Sequence, residues 1–205
     1  METAMDAVYS KAEFYWGREP NDLCRQVLEY VTPEQARGRL LLDLGSGEGR
    51  DAIHFARHGF EVVALDLSRP GLEKAQRWAE EEGLRLQILQ ANLLSYRLDR
   101  PFHVLYSSGA LHYLPKSLRA EVFANYKAQT RVGGLHAFNV FVEKPFLSVP
   151  PDYTPEEYFF RSGELLGYYW DWEILFCSEI IFDCNSSGIP HRHAMDVMIA
   201  RKVIE

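Results

Sequence analysis

The stretch Leu41-Leu42-Asp43-Leu44-Gly45-Ser46-Gly47-Glu48-Gly49-Arg50 decides the fold. A short apolar run, Arg39 to Leu44, has the pattern of a buried parallel strand, and it runs directly into three glycines that open a helix. Glycines at such a strand–helix turn let backbone amides come close to a ligand, because no Cβ stands in the way. Tight turns of this kind also occur without a ligand, so the acid beside the loop carries the reading. The spacing is G-x-G-x-G, not the G-x-G-x-x-G of dinucleotide-binding loops. Asp43, two residues ahead of Gly45, would repel a pyrophosphate and suits a ligand with an ammonium group and no phosphate.

Outward from the loop, strand and helix patterns alternate. Asn21 or Asp22 caps a first helix through Val31, with Leu23, Val27, Leu28 and Val31 at helical spacing. The glycine loop opens a helix from Arg50 to about His58, stopped by Gly59. Phe60 to Leu65 is the next strand and ends at Asp66. Ser68 caps a helix with Leu72, Ala75 and Ala79 on one stripe and Gly83 as its stop. Leu84, Leu86 and Ile88 alternate with polar residues, and Phe102 to Tyr106 is again a buried strand. Lys116 to Arg131 reads as a helix closed by Gly133-Gly134, with Leu135 to Val142 the fifth strand. The alternation predicts an α/β fold, a parallel sheet with helices on both faces.

The remainder differs. Lys144 to Phe160, rich in proline and aromatics, predicts a loop or lid. Ser162 is a candidate cap for a helix to about Trp170. Trp172 to Phe182 and Met195 to Ala200 read as strands joined through the turn cluster Asn185-Ser186-Ser187-Gly188, so the sheet should end in an antiparallel hairpin. The expected organisation is one domain over 1–205: an N-terminal cap and first helix (1–38), a cofactor-binding core (39–142), and an acceptor-side lid with the hairpin (143–205).

Bulk properties narrow the class. The chain has 205 residues, 47% hydrophobic and 25% charged, which fits a globular protein and excludes intrinsic disorder. A net charge of -7 argues against a nucleic-acid partner. Three cysteines, Cys24, Cys177 and Cys184, are too few for a disulfide scaffold and suit a reducing compartment. The first twenty residues lack the basic and apolar regions of a signal peptide, and no run is long enough for a membrane span. A soluble cytoplasmic protein is expected, with its oligomeric state open.

Asp66 at the end of the second strand can accept both hydroxyls of a ribose. With Asp43 and the glycine loop it describes an adenosine ligand with an amino-acid tail and no phosphate, namely S-adenosyl-L-methionine. The segments LLDLGSGEGR, VVALD and LQANLL, with the order of elements, resemble the class I S-adenosylmethionine-dependent methyltransferases over residues 39 to 142. The resemblance implies a Rossmann-like, seven-stranded, mostly parallel sheet. It implies that Asp43, Gly45, Ser46 and Gly47 surround the methionine part, that Asp66 holds the ribose, and that Asn92 accepts from the adenine amino group where the family often has aspartate. Gly49, Arg50, Leu67, Leu93, Ser107 and Trp16 complete the expected cofactor set.

Ligands of open α/β sheets bind outside the carboxyl ends of the strands. If the last strand is antiparallel, His191-Arg192-His193 begins at that edge, a local positive pole suited to an anionic or electron-rich acceptor, or simply a solvated hairpin end. His112, after the fourth strand beside Tyr113, is a candidate general base or a packed side chain. Arg161 and Ser162 open the penultimate helix, whose dipole would favour an anion. Tyr9, Phe14, Tyr15 and Trp16 are candidates for a lid over the cofactor or for packing against the sheet. Histidines two apart on a strand more often share a face than hold a metal, so no metal is expected from His191, His193 and Cys184.

The position after the fourth strand reads Ser107-Ser108-Gly109-Ala110, without the N/D-P-P-Y motif of amino-methylating nucleic-acid enzymes; the only Pro-Pro lies in Val149-Pro150-Pro151-Asp152. Phe160-Arg161-Ser162-Gly163-Glu164-Leu165, residues 168 to 173, Ala200-Arg201-Lys202 and the loop with its trailing Arg50 are similar to the tellurite-resistance methyltransferase branch. That likeness implies methyl transfer to a small-molecule acceptor, a soft oxyanion or thiol-like compound. An O- or N-methyltransferase of a metabolite and a non-catalytic S-adenosylmethionine-binding sensor or subunit are the alternatives.

Overall fold

Residues along each central strand alternate between two apolar clusters, and this fixes the architecture of the computed structural model, which describes residues 4–151, 153–185 and 188–204. Leu41, Val62, Ala64, Val104, Tyr106 and Ala137 point to one face. Leu42, Leu44, Val63, Leu65, Leu105 and Phe138 point to the other. Strand side chains alternate with a period of two, so a sheet buried on both faces needs apolar residues at every position. The strands are β1 (Leu40–Leu44), β2 (Glu61–Asp66), β3 (Leu86–Gln90), β4 (Phe102–Ser108), β5 (Thr130–Val142), β6 (Glu173–Cys184) and β7 (His191–Arg201). They form one sheet in the order β3-β2-β1-β4-β5-β7-β6. The first five run parallel, while β7 is antiparallel to both β5 and β6. The expected Rossmann-like, mostly parallel sheet with a C-terminal antiparallel hairpin is therefore the fold.

The helices are α1 (Ala4–Tyr9), α2 (Asp22–Tyr30), α3 (Pro33–Ala36), α4 (Arg50–Arg57), α5 (Arg69–Glu81), α6 (Lys116–Ala128) and α7 (Glu164–Gly167), with a 3-10 turn at Leu111–Tyr113. Buried residues of α2, α4 and α5 join the first cluster, and Val122, Phe123 and Tyr126 of α6 join the second with Phe160, Tyr169 and Trp172. Asn21 caps α2 by accepting from Leu23 N at 3.0 Å, and Ser68 caps α5 by accepting from Gly71 N at 3.4 Å, as expected.

Three regions depart from expectation. The α6 helix stops at Ala128, and β5 begins at Thr130 and runs through Gly133-Gly134 instead of starting after them. Backbone bonds from Gly133 N to Lys202 O and from Lys202 N to Gly134 O secure this stretch, and a Cβ on Gly134 would stand 2.8 Å from His103 O. Gly134 thus permits close strand approach, and Gly133 supplies a left-handed φ of 77°, instead of the pair ending a helix. Further on, Ser162 does not start a long helix: α7 is a single turn whose N-cap is Gly163 in the left-handed region at φ 73°. The hairpin is also longer than its apolar pattern, with Cys184 opposite His191. The expected turn cluster falls partly outside the described residues at Ser186 and Ser187, as does Asp152 of the Pro-Pro segment. Among the described residues, no helix is long and apolar enough to cross a membrane.

Candidate functional site

Three of the glycine loop's residues adopt positive φ, 79° at Gly45, 53° at Gly47 and 85° at Gly49, which is the conformation the spaced glycines supply. They serve different ends. A Cβ on Gly45 would meet Ala110 Cβ at 2.2 Å, so this glycine lets β1 and the segment after β4 converge. Gly49 caps α4 and faces Ala75 of α5, so its smallness serves helix packing. Gly47 lies under the Tyr9 hydroxyl and donates its N–H to Asp66 Oδ2 at 2.8 Å. Ser68 N donates to the other carboxylate oxygen at 2.7 Å. Both oxygens of Asp66 are thereby aimed by backbone amides at the carboxyl edge of the sheet. Burial raises the Asp66 pKa above the usual carboxylate range, and the amides of Ser68, Gly47 and Leu67 oppose that rise.

Asp43 lies beneath the loop and is almost wholly buried. Burial, then the nearby Asp51 and Asp66, raise its pKa well above normal. Its Oδ2 and the Ser46 Oγ are buried polar atoms without a hydrogen-bond partner among the described residues. A buried polar atom left unpaired is costly, and a cationic or hydroxyl-bearing ligand resolves both. Asp51 is fully engaged, accepting from the Tyr106 hydroxyl at 2.8 Å and from Asn21 N at 2.7 Å.

The other expected cofactor residues divide. Leu67 is exposed next to Asp66, and Leu93 is half-buried after β3. Asn92 lies at the same edge, but its Oδ1 accepts from Leu94 N at 2.9 Å, closing a local turn. Ser107 is fully buried and its Oγ donates to Leu44 O at 2.8 Å, so its side chain ties β4 to β1 and does not face a ligand. Arg50 reaches the N-terminal segment, donating to Trp16 O at 3.4 Å. Trp16 is half exposed and its Nε1 donates to the Tyr9 hydroxyl at 3.2 Å.

The N-terminal aromatics separate into two roles. Tyr9 is buried over Gly47 and Gly71, so α1 covers the loop. Phe14 instead packs edge-on against Trp78 of α5 at 5.2 Å, with Arg18 over both rings. What holds this segment down was not legible in sequence. The Lys74 ammonium bonds Glu48 Oε1 at 2.6 Å and Glu13 O at 2.7 Å, while Glu48 Oε2 accepts from Tyr15 N at 2.8 Å.

On the acceptor side, a cleft of about 460 Å³ opens between the start of α6, the end of β5, the lid and the start of β7. Lys116, Arg119, Lys144, Arg161, Arg192 and His193 line it together with Glu143, Glu157 and Glu164. Arg119 is fully buried and organises the wall: it pairs with Glu164 at 2.8 Å, donates to Leu114 O at 3.0 Å and to Tyr158 O, and lies over the Phe160 ring. Arg161 is exposed, 3.3 Å from Glu143 Oε1, and the single turn of α7 offers no helix dipole of consequence. Asn139, a polar residue inside the apolar run of β5, accepts from Gly109 N at 2.6 Å and fixes the segment after β4.

His112 and His193 both reach this region. His193 is buried against Phe141 at 4.6 Å and Phe182 at 5.7 Å, and His191 Nε2 lies 2.8 Å from its Nε2. His112 packs on Phe141 at 4.8 Å. Burial, with His193 and Arg119 nearby, pushes its pKa down to about 3. An imidazole so disfavoured as a cation is a weak base at neutral pH, which argues against His112 as the general base. Tyr113 links the two sides: its neighbours include Asp66 and Glu157, and burial with those carboxylates pushes its pKa up to about 12.

Comparison with known proteins agrees with this geometry. Residues 41–134 match the family described as "Methyltransferase domain". The chain is 26% identical over 167 residues to the Haemophilus influenzae protein named "Probable S-adenosyl-L-methionine-dependent methyltransferase TehB", covering 79% of this chain and 57% of that protein. It is 27% identical over 181 residues to the protein of Eikenella corrodens named "Hemagglutinin 1", covering 87% of this chain and 58% of that one. The chain thus spans less than two thirds of both relatives. The crystal structure of TehB from Haemophilus influenzae superposes with a TM-score of 0.77 at 19% identity, covering 97% of this chain and 65% of that one. The likeness to class I methyltransferases and their tellurite-resistance branch, read from the residues, is borne out.

Proposed function

We propose that the chain, whose residues 41–134 match the methyltransferase domain family, is a class I S-adenosylmethionine-dependent methyltransferase that moves the cofactor's methyl group to a small, electron-rich acceptor bound in the cleft beside Lys116, Arg161 and Arg192. The observation that carries this reading is the paired hold on Asp66 by Gly47 and Ser68, set beside the unsatisfied Asp43 Oδ2 and Ser46 Oγ. These are the groups an adenosine with an amino-acid tail needs. Bound here, the cofactor supplies a methyl group already activated as a sulfonium.

The protein's task is then placement and exclusion of water. Asp66 presents carboxylate lone pairs to ribose hydroxyls. Asp43, whose charge burial disfavours, gains from any ammonium brought beside it. Tyr9 and the latched segment behind it cover the glycine loop. Across the edge, Arg192, Arg161 and Lys116 hold an anionic acceptor, and His193 forms the inner wall. Because His112 is so weak a base, an acceptor that must lose a proton gains little from it. A polarizable sulfur, selenium or tellurium nucleophile suits the cleft best, in keeping with the tellurite-resistance likeness.

The test is calorimetric titration with S-adenosylmethionine and, separately, with NAD, followed by transfer of labelled methyl to a thiol, to selenite and to a hydroxylated aromatic. Heat with the first cofactor alone and label in the thiol or selenite arm support the reading. Label only in the hydroxylated aromatic would establish an O-methyltransferase instead. Tight cofactor binding with no transfer to any acceptor would leave a sensor or partner subunit, and silence with S-adenosylmethionine would end the proposal.

A further inference from the structure

The hairpin brings together three side chains whose chemistry the reading above does not use. In the β6–β7 register Cys184 stands opposite His191 and Phe182 opposite His193. Cross-strand partners and residues two apart share a face. Cys184 Sγ and one ring nitrogen from each histidine accordingly lie within 4.8 Å of one another.

The tautomer of His191 is fixed. Its Nδ1 is 2.7 Å from Ile189 O, and a carbonyl oxygen only accepts, so Nδ1 carries a proton and the neutral ring has its lone pair at Nε2. That lone pair faces His193 Nε2 at 2.8 Å. Imidazole nitrogens this close either share a proton or share a metal ion. The bond from His191 Nδ1 to a backbone carbonyl is the outer-shell arrangement that metal-ligating histidines use to set ring orientation. His193 is held in place by the Phe141 and Phe182 rings on either side.

We propose that Cys184 Sγ, His191 Nε2 and His193 Nε2 form a three-ligand site for a zinc ion at the wall of the acceptor cleft. One thiolate and two imidazoles are a borderline-soft set that favours zinc over the hard, oxygen-seeking magnesium and calcium. Zinc bonded to two imidazole nitrogens at about 2.0 Å in tetrahedral geometry places them about 3.3 Å apart. The rings need to separate by only about half an ångström from their present spacing. On binding, the Cys184 thiol releases its proton to solvent, and His193 binds through Nε2 with its proton on Nδ1.

Three protein ligands leave the fourth position open, and His193 lines the cleft, so a soft anion in the cleft completes the tetrahedron. A thiol acceptor bound there loses its proton to solvent and is held as the thiolate. Zinc binding itself stands apart from the methyl-transfer reading; only the identity of the fourth ligand rests on it.

The full chain, stripped with a chelator, is titrated with zinc alone against a chromophoric competitor, and with cobalt as a spectroscopic probe. The expected result is one ion per chain, an intense tetrahedral cobalt spectrum and a thiolate-to-cobalt charge-transfer band. Cys184→Ser should abolish that band and weaken zinc about 100-fold, and His191→Ala should weaken it similarly while keeping the band. Should a variant fold poorly, alkylation of the unaltered protein decides: zinc should protect Cys184 and leave the exposed Cys177 reactive. Less than one tightly held ion, a weak octahedral cobalt spectrum, unchanged affinity in Cys184→Ser, or equal alkylation of both thiols would overturn the site. Titration with S-adenosylmethionine alongside separates the two readings, since either can fail while the other stands.

Discussion

Gly47 N–H and Asp66 Oδ2, 2.8 Å apart, tie the glycine loop after β1 to the carboxylate that closes β2. The bond makes Asp66, the proposed ribose ligand, also a brace for the loop. Asp66→Asn, whose single amide oxygen cannot accept at both sites, should weaken S-adenosylmethionine binding by at least about 10-fold, the equivalent of one charge-assisted hydrogen bond. Asp66→Ala should weaken it further and also lower thermal stability, because two backbone amides lose their acceptor. Calorimetry and thermal melting read the two effects separately. Unchanged affinity in Asp66→Asn would remove this carboxylate from the ribose.

Gly45 and Gly109 test the loop from the other side. Both have φ near +75°, at 79° and 72°. A Cβ at Gly45 would strike Ala110 Cβ at 2.2 Å, whereas a Cβ at Gly109 meets nothing within 4 Å. Gly109→Ala should therefore cost only the backbone strain, about 1 kcal/mol. Gly45→Ala should add a steric displacement of the loop, roughly 3 kcal/mol or more in total, and suppress cofactor binding. Urea denaturation of both variants measures the difference. Equal losses would mean that the contact with Ala110 relaxes freely.

The loop and its acids were legible in sequence because their cause is local: an apolar run, then glycines, then a helix. The same holds for Asn21, Ser68 and the alternating strands. Expectation failed where distant chain decides. Gly133-Gly134 resembles a helix stop until Lys202 pairs with it, and that partner lies in the last strand's extension. Ser162 has a capping residue's identity, yet the left-handed Gly163 after it begins only one turn. Arg50 and Ser107 sit at motif positions, and the bond each makes, to Trp16 O and to Leu44 O, is to chain distant in sequence. The lock between Glu48 and Lys74 joins two elements and has no sequence periodicity to announce it. Asn139 did leave a signal, a lone amide inside an apolar strand.

That lock makes its own prediction. Lys74 and Glu48 expose 7% and 2% of their side chains, so neither charge is hydrated when its partner is removed. Glu48→Gln or Lys74→Met alone should cost about 3–5 kcal/mol, the price of an orphaned buried charge. The double variant should cost clearly less than the sum, because no ion is then left unpaired. Loss of the bonds to Glu13 O and Tyr15 N should also free the segment between α1 and α2 to proteolysis. A urea series with limited digestion follows both effects, and additive losses would show that the pair acts as two independent contacts.

His136 predicts how stability depends on pH. Its ring is fully buried, with Nε2 2.7 Å from Thr130 Oγ1 and Nδ1 2.7 Å from the Tyr169 hydroxyl. Thr130 spends its own proton on Tyr126 O at 2.6 Å, so Nε2 donates to Thr130 and Nδ1 accepts from Tyr169. The neutral ring is thus satisfied at both nitrogens. Burial, with Lys127 and Lys202 nearby, holds its pKa well below 6.5. The unfolded chain therefore takes up a proton at a pH where the folded chain does not. The contribution to stability is complete above about pH 6.5 and is lost as pH falls below it, by up to about 1.4 kcal/mol per pH unit. His112, whose folded pKa is about 3, adds a loss of the same sign over the window down to that value. Urea denaturation at pH 7.5 and 5.0 should show the fall. His136→Phe should lower stability at pH 7.5, where it strands the Tyr169 hydroxyl and removes one bond to Thr130 Oγ1, yet flatten the slope between the two pH values. A slope unchanged in that variant would place the acid sensitivity in other groups.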